Sequence, residues 1–342
     1  MKTDKKFNVT FILGLPDSKT VKVAGYNNKG QLLYMWNGNA DFHAQVKGDN
    51  LVSNIVHLVW FDEPTRKFSK PDIIINCIND ADIAGKSLET AKKMVELVKS
   101  KLPDVKIFND PAKISETTRE KIYQNYNNLA EIEIPKTIKT KPLSPQMVFD
   151  EAKKAGIKTP FLIRPCGAHQ SEGLQKIEGE SEIKKLEKYP FNGSEYYITQ
   201  FEDYRNNQGL YKKCRLVIIG GVMLPRHYMT GEEWLVHGDL HEQYMATNDA
   251  SKKDEAYYMM NYKKMISRKA LDSLMEIYHK SGLDYLGFDF AIKEDKSLLI
   301  FEINPAQNSF IKLDFKIFPY MKKTREDIIK ALNQAVLAKL GK

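Results

Sequence analysis

Two carboxylates and one amide, Asp289, Glu302 and Asn304, fall within a single stretch, Leu286 to Ser309, reading LGFDFAIKEDKSLLIFEINPAQNS. Two apolar runs, GFDFAI and SLLIFEI, flank the charged, turn-forming KEDK, which is the pattern of a β-hairpin. A turn centred between Asp295 and Lys296 sets Asp289 directly across from Glu302. Asn304, two residues beyond Glu302, shares its face of the strand. Three oxygen donors then converge on one patch. Hard donors of this kind suit Mg²⁺, which proteins usually hold through one or two carboxylates together with substrate phosphates. The plain alternative is a hairpin with two charges directed at water. The flanking Phe and Leu residues argue for burial instead, and buried carboxylates need partners.

The elements upstream supply candidate partners. An apolar strand from Pro160 ends in Arg164, a loop carries Gly167 and Gly173, and a second strand begins at Leu174. Small residues in such a loop let backbone N–H groups approach a polyphosphate, although an ordinary hairpin loop accounts for them equally well. The strand EYYITQ, Glu195 to Gln200, leads into FEDYRNNQG. Lys212 to Gly220 and Gly221 to Tyr228 form a hairpin about Gly220-Gly221, with Lys213 and Arg215 on one face and His227 ending the second strand. Trp234, His237, His241 and Glu242 follow in a looser segment that lacks HExxH or comparable spacing, so structural or substrate-contacting roles are expected there.

Towards the N-terminus the pattern alternates between strand and helix. Residues 7–14, Ser53 to Phe61, Asp72 to Ile78 and Val105 to Phe108 read as strands, and Ser87 to Lys101 as a helix; residues 15–50 give no clear pattern. Strand, helix, strand in this order predicts a parallel, doubly wound unit. Lysines ahead of a short apolar run imitate a signal peptide, but Asn8 and Thr10 interrupt the run and a first strand is the better reading. Gly85-Lys86-Ser87 imitates a phosphate loop, but that loop needs a glycine where Asp80 stands, and Ser87 is read as a helix N-cap. Further helices are expected from Thr117 or Thr118 to about Ala130, from Ser144 to Ala155, over residues 252–281 and from about Tyr320 to Leu340.

The chain of 342 residues is long enough for two or three domains. Its three cysteines are far apart, which predicts reduced thiols and no structural zinc. The formal charge of +8 is mostly lysine dispersed among acids, so it points to a basic pocket for anionic substrates such as nucleotide phosphates at least as much as to nucleic acid. No apolar run is long enough to span a membrane.

Taken in order, the segments NDPAKISETTREK, IPKTI, PFLIRPCGAHQSEGLQKI, YYITQFEDY, KKCRLVIIGGVMLPRH and GLDYLGFDF…LLIFEINP resemble the ATP-grasp superfamily, most closely its glutathione-synthase and RimK-like branch and a little-characterised bacterial group within it. The resemblance runs from about residue 108 to 310. It implies an α/β (α+β) architecture: an N-terminal doubly wound domain over 1–112, then an ATP-grasp domain over 113–342 with an antiparallel sheet and a small lid at about 140–200. Carried over residue by residue, Asp289, Glu302 and Asn304 resemble the ligands of Mg²⁺, or of Mn²⁺ in its place. Gln200, Phe201 and Glu202 resemble the hinge at adenine, with Asp203 near the ribose. Arg164 stands where the family has a phosphate-binding lysine, and Gly167, His169 and Gly173 resemble the loop over the phosphates. Arg215 matches the arginine facing the γ-phosphate or the reacting carboxylate, and either Arg119 or Lys121 matches a basic residue before a helix. Arginine at 164 keeps the charge but offers a planar fork, not a point charge. The implied activity is ligation of a small-molecule or peptide carboxylate to an amine through an acyl phosphate, with ATP as co-substrate and His227 or His237 as the candidates for acid–base work. A small-molecule kinase and a non-catalytic ATP-binding protein are the alternatives. A cytoplasmic location, no nucleic-acid or membrane partner, and a homodimer are the remaining expectations.

Overall fold

β-Branched and aromatic runs make the strands of this chain, and their order sorts them into three main sheets. The computed structural model describes residues 5–58, 70–168, 171–305, 307, 309, 310 and 313–342. The first sheet is parallel. It joins β1 (Phe7–Gly14), β4 (Leu51–Leu58), β5 (Ile73–Asn76) and β6 (Lys106–Phe108) in the order β4-β1-β5-β6. The central β1 is buried along nearly its whole length because a parallel sheet is covered on both faces. The helix Gly85–Lys101 covers one face with Leu88, Ala91, Met94, Val95 and Val98. The unassigned stretch 15–50 holds a small hairpin, β2 (Lys22–Tyr26) with β3 (Leu32–Met35), and a short helix, Phe42–Gln45. The expected strand to Phe61 is seen as far as Leu58; its last residues lie outside the described ones. Ser87 is not an N-cap. Ala84 holds that position, and the Ser87 hydroxyl, inside the helix, donates to the Leu15 carbonyl at 2.7 Å, tying the helix to the end of β1.

The second sheet, β10-β9-β11-β8, is antiparallel and is built from β8 (Thr137–Thr140), β9 (Phe161–Pro165), β10 (Gln175–Ile177) and β11 (Tyr196–Gln200). The helix Pro145–Lys154 packs on it, capped by the Ser144 hydroxyl, which accepts from the Met147 N–H, with Pro145 in its first turn. The third sheet, β13-β12-β14-β15-β7, contains β7 (Ile132–Glu133), β12 (Tyr211–Ile219), β13 (Val222–Gly231), β14 (Tyr285–Ile292) and β15 (Leu298–Asn304). One of its faces (Leu216, Ile218, Phe288, Phe290) is buried under the helices Asp249–Met265 and Arg268–Ser281. These two helices replace the single one expected over 252–281; the chain breaks at Ile266, and the second helix starts on a Ser267 cap and stops at left-handed Gly282. The other face buries Val217, Ile219 and Tyr285 against the terminal helix Tyr320–Lys339 and carries the polar site.

Among the described residues, no helix is long and apolar enough to cross a membrane. Cys77, Cys166 and Cys214 are free thiols.

Candidate active site

The hairpin β14–β15 puts Asp289 opposite Glu302, but not by a regular ladder. Near the turn Ile292 pairs with Leu298 and Phe290 with Ile300, a register that would bring Phe301 opposite Asp289. A shift between Asp289 and Phe290 inserts Phe301 as an extra residue and restores Glu302 to that position. Across the sheet the same rung continues: Asp289 pairs with Arg215 of β12, and Arg215 with His227 of β13. Cross-strand partners share a face, so His227, Arg215, Asp289 and Glu302 form one transverse row.

Charge balance within the row follows from burial. Asp289 is 1% exposed, and Arg215 donates to it twice, Nε to Oδ1 at 2.6 Å and Nη2 to Oδ2 at 2.9 Å. Lys213, on the same face of β12, adds a third contact at 2.8 Å. Burial alone would raise the Asp289 pKa; Arg215 and Lys213 overcome it and hold the carboxyl well below the usual range. Glu302 is paired with Arg119 at 2.8 Å and accepts from Asn304 Nδ2 at 3.0 Å. Burial again opposes its charge, but Arg119 and more distant cations bring the net shift down. The structure thus selects Arg119 over Lys121 as the basic residue facing the site. Arg119 opens the helix Arg119–Tyr126, and burial opposes its charge while Glu302, then Asp80, Tyr197 and Asp82, raise its pKa overall.

A cleft of about 1060 Å³, part of it open to solvent, runs between the second and third sheets. Arg119, Arg164, Lys213 and Glu302 line one part; Leu162, Phe201, Tyr204, Trp234, Leu299 and Phe301 line the apolar remainder. Arg164 is held by donating to the Ala168 carbonyl, and its Nε is buried without a hydrogen-bond partner. Burial, and then the nearby Arg119, lower its pKa to about 10. This is an arginine left in want of an anion.

The remaining sequence-predicted residues divide into groups. Gln200, Phe201 and Glu202 line the cleft. The Gln200 amide is already used to hold the neighbouring loop, accepting from the Lys158 N–H at 2.9 Å and donating to the Pro160 carbonyl at 3.2 Å. Asp203 does not line the cleft; its carboxylate accepts from Arg205 Nε at 2.9 Å. His237 likewise stands beside the lining residue Val236 and pairs with Asp239 at 3.5 Å. His227 is buried beside Arg215 with no partner on Nε2, and burial followed by Arg215 pushes its pKa well below the ordinary value. It is the neutral ring of the row. His241 binds the fully buried Glu255 at 3.0 Å, a structural pair. His169 lies outside the described residues.

Gly167 and Gly173 serve packing. A Cβ at Gly173 would meet Pro165 at 2.9 Å, and one at Gly167 would meet the Asp82 carbonyl at 2.9 Å. Asp82, in the loop after β5, also accepts from the Tyr197 hydroxyl at 2.7 Å and faces Lys139 at 3.4 Å. This clasp between the first and second sheets left no trace in the sequence pattern, because its partners are distant and of ordinary type. The site role of Lys213 was also not singled out.

Two tests arise here. Gly167 sits at φ +76°, so Gly167→Ala combines left-handed strain with the Asp82 contact. It is expected to cost roughly 1–2 kcal/mol and to open the Gly167 loop to proteolysis, read by limited digestion. For His227, the unfolded chain binds a proton below the ordinary value of about 6.5 that the folded chain refuses. Stability from this group is therefore present above that pH and lost as pH falls below it. Wild type should lose more stability between about pH 7.5 and 5 than His227→Leu, measured by thermal melts; equal losses would contradict the buried neutral ring.

Comparison with solved structures adds the fold's relatives. D-alanine–D-alanine ligase from Bacillus anthracis, complexed with ATP, aligns over 98% of this chain and 99% of its own, with TM-score 0.53 and 13% identity. D-alanyl-alanine synthetase A from Vibrio cholerae aligns over 99% of each chain, with TM-score 0.55 and 11% identity. An ADP complex of N5-carboxyaminoimidazole ribonucleotide synthetase aligns over 90% of this chain and 72% of its own, with TM-score 0.53 and 12% identity. The fold is that of the ATP-grasp ligases. In this chain Glu302, of the transverse row, and Arg164 both line the cleft between the second and third sheets. No protein-family model matches the sequence, and no curated protein matches it.

Proposed function

We propose that this chain is an ATP- and Mg²⁺-dependent carboxylate–amine ligase that releases ADP and phosphate. The observation that carries the reading is the polarity of the cleft: Arg119, Arg164 and Lys213 at one part, an aromatic and aliphatic wall at the other, matched to a polyphosphate with an attached base. The sheet over 137–200 is the lid in this proposal, residues 1–112 form the N-terminal domain and 113–342 the ATP-grasp domain. The quoted sequence segments support the glutathione-synthase and RimK-like branch, a cytoplasmic setting accords with three free thiols, and a homodimer follows by analogy.

In the proposed reaction a substrate carboxylate oxygen attacks the γ-phosphorus, the bond to the bridging oxygen breaks and ADP leaves. An amine nitrogen then attacks the acyl carbon, phosphate departs, and the nitrogen sheds a proton. Arg164 and Lys213 would neutralise phosphate oxygens, and Arg215 would orient Asp289. Phe201 and Trp234, edge to face at 5.8 Å, would bound the base. The donor set of Glu302 and Asn304, with Asp289 on the adjacent strand, fits a hard cation in chemistry, although Asp289 is now held by Arg215 and Lys213 and Glu302 by Arg119. Mg²⁺ held there supplies charge neutralisation at the transferring phosphate. Closure of the lid excludes water from the acyl phosphate.

The test is an assay of the purified protein with ATP, Mg²⁺, a panel of carboxylates and hydroxylamine as trap. The reading predicts equal yields of ADP, free phosphate and hydroxamate for some member. ADP with a phosphorylated product and no free phosphate would make the protein a kinase, and no nucleotide turnover would leave it a binding protein.

A further inference from the structure

The lid carries a transverse row of its own. In the second sheet Tyr197 of β11 pairs with Lys139 of β8 on one side and with Arg164 of β9 on the other. Cross-strand partners share a face, so Lys139, Tyr197 and Arg164 stand in line. The lid's own core, with Ile163, Tyr196 and Ile198, lies on the opposite face and does not include Tyr197. Arg164 lines the cleft. The other two members reach one carboxylate in the loop after β5. The Tyr197 hydroxyl donates to Asp82 Oδ2 at 2.7 Å, and Lys139 Nζ meets Asp82 Oδ1 at 3.4 Å. The Asp82 side chain is 8% exposed, so these contacts stand in for its water. Burial, and then Asp82, push the Tyr197 phenol well above its ordinary value, which keeps it a donor.

The receiving end is fixed. Asp80 Oδ1 accepts from the N–H groups of Asp82 at 2.9 Å and Ile83 at 3.2 Å, and the Ile83 carbonyl accepts from the Asp17 N–H at 2.7 Å. The Tyr197 ring also lies against the site: the Arg119 guanidinium, partner of Glu302, is 6.0 Å from its centre. One side chain, 1% exposed, therefore belongs to the second sheet, bonds to a loop of the first and abuts the cation paired with the third. Resting on the reading that the cleft forms an acyl phosphate, we infer that Tyr197 and Asp82 are positioning residues for that reaction: a latch that holds the lid down, keeps Arg164 over the phosphates and keeps water from the intermediate until the amine attacks. With the latch open, water takes the amine's place. Its oxygen attacks the acyl carbon, the bond from that carbon to the phosphate oxygen breaks, phosphate leaves, and the substrate carboxylate is regenerated as a proton is shed.

The experiment compares wild type with Tyr197→Phe and Asp82→Asn. Phenylalanine keeps the ring and removes the donor; asparagine keeps an acceptor and removes the charge. Losing a hydrogen bond to a charged group shifts a closed-to-open ratio by roughly tenfold or more. Turnover with ATP, Mg²⁺, the reactive carboxylate of the panel and hydroxylamine is followed as phosphate released per hydroxamate formed. Wild type should release the two equally. Tyr197→Phe should raise the ratio severalfold while ATP is still consumed, and Asp82→Asn less, since Lys139 keeps Glu195 at 2.6 Å. A merely structural loss lowers both products together and leaves the ratio unchanged. Alkylation of Cys166 in the nucleotide-free protein reads the latch without turnover. Burial, with Asp82 nearby, pushes that thiol up to about 12, while Cys77 and Cys214, 0% exposed, report unfolding. Tyr197→Phe should speed Cys166 alkylation by roughly tenfold, the same shift in the closed-to-open ratio, and leave the other two thiols unreactive. Unchanged alkylation in both variants would overturn the latch. Faster alkylation with equal phosphate and hydroxamate would overturn its part in the reaction. If wild type consumes no ATP, the ligase reading has failed, while faster alkylation in Tyr197→Phe still upholds the latch.

Discussion

Glu302→Gln is expected to lower ATP turnover by roughly a hundredfold or more, the usual cost of removing one preorganised charge-stabilising group, while the protein stays folded. Glu302 is the member of the transverse row that lines the cleft, and it meets Arg119 and Asn304 through a single oxygen, Oε1. Glutamine keeps the shape and one acceptor, so the hydrogen bonds survive in altered form while the charge is lost. The charge is what a hard cation beside phosphate requires. Nucleotide affinity measured with and without Mg²⁺ separates the effects. The variant should lose the Mg²⁺-dependent part of binding and keep the part owed to Arg164 and the apolar wall. Full turnover in the variant would remove Glu302 from the chemistry.

The second large effect is on stability. Arg215→Met strands Asp289, which is 1% exposed, with only Lys213 as a close cation. Breaking a buried pair by removing one partner typically costs about 3–5 kcal/mol, because the remaining charge is left unsolvated. The variant should melt several degrees lower. It should also become acid-sensitive at a higher pH: the Asp289 pKa is depressed in the native state, so its contribution is present above the unfolded carboxyl value and lost as pH falls through the folded one. Without Arg215 the folded value rises and that window narrows. The double variant Arg215→Met, Asp289→Leu should recover much of the loss, since the stranded carboxylate is gone and Lys213, the partner it leaves behind, is partly exposed; equal melting of single and double variants would show that the pair does not carry this cost.

Legibility in the sequence differed from element to element. The helix Pro145–Lys154 was readable to its caps because Ser144 and Pro145 act locally. The two hairpins were readable because their apolar runs and turns are contiguous. The opposition of Asp289 and Glu302 was expected from a symmetric turn, yet the turn is centred one half-residue away and the bulge at Phe301 makes the difference. Nothing in the residue types announces that bulge. Arg119 could not be told from Lys121 in the sequence, since the choice depends on which of them reaches a strand nearly two hundred residues away, as Arg119 does to Glu302. The Asp82 clasp was illegible for the same reason: it becomes chemical only when the first sheet is brought against the second.

The most direct test of the proposed activity follows one oxygen atom. The carboxylate selected by the hydroxamate panel is labelled with ¹⁸O, turned over with ATP and Mg²⁺, and the products are read by ³¹P NMR. Attack of the carboxylate on the γ-phosphorus, then displacement by an amine, predicts inorganic phosphate carrying one ¹⁸O. Unlabelled phosphate, or label retained in a phosphorylated organic product, would contradict the ligase.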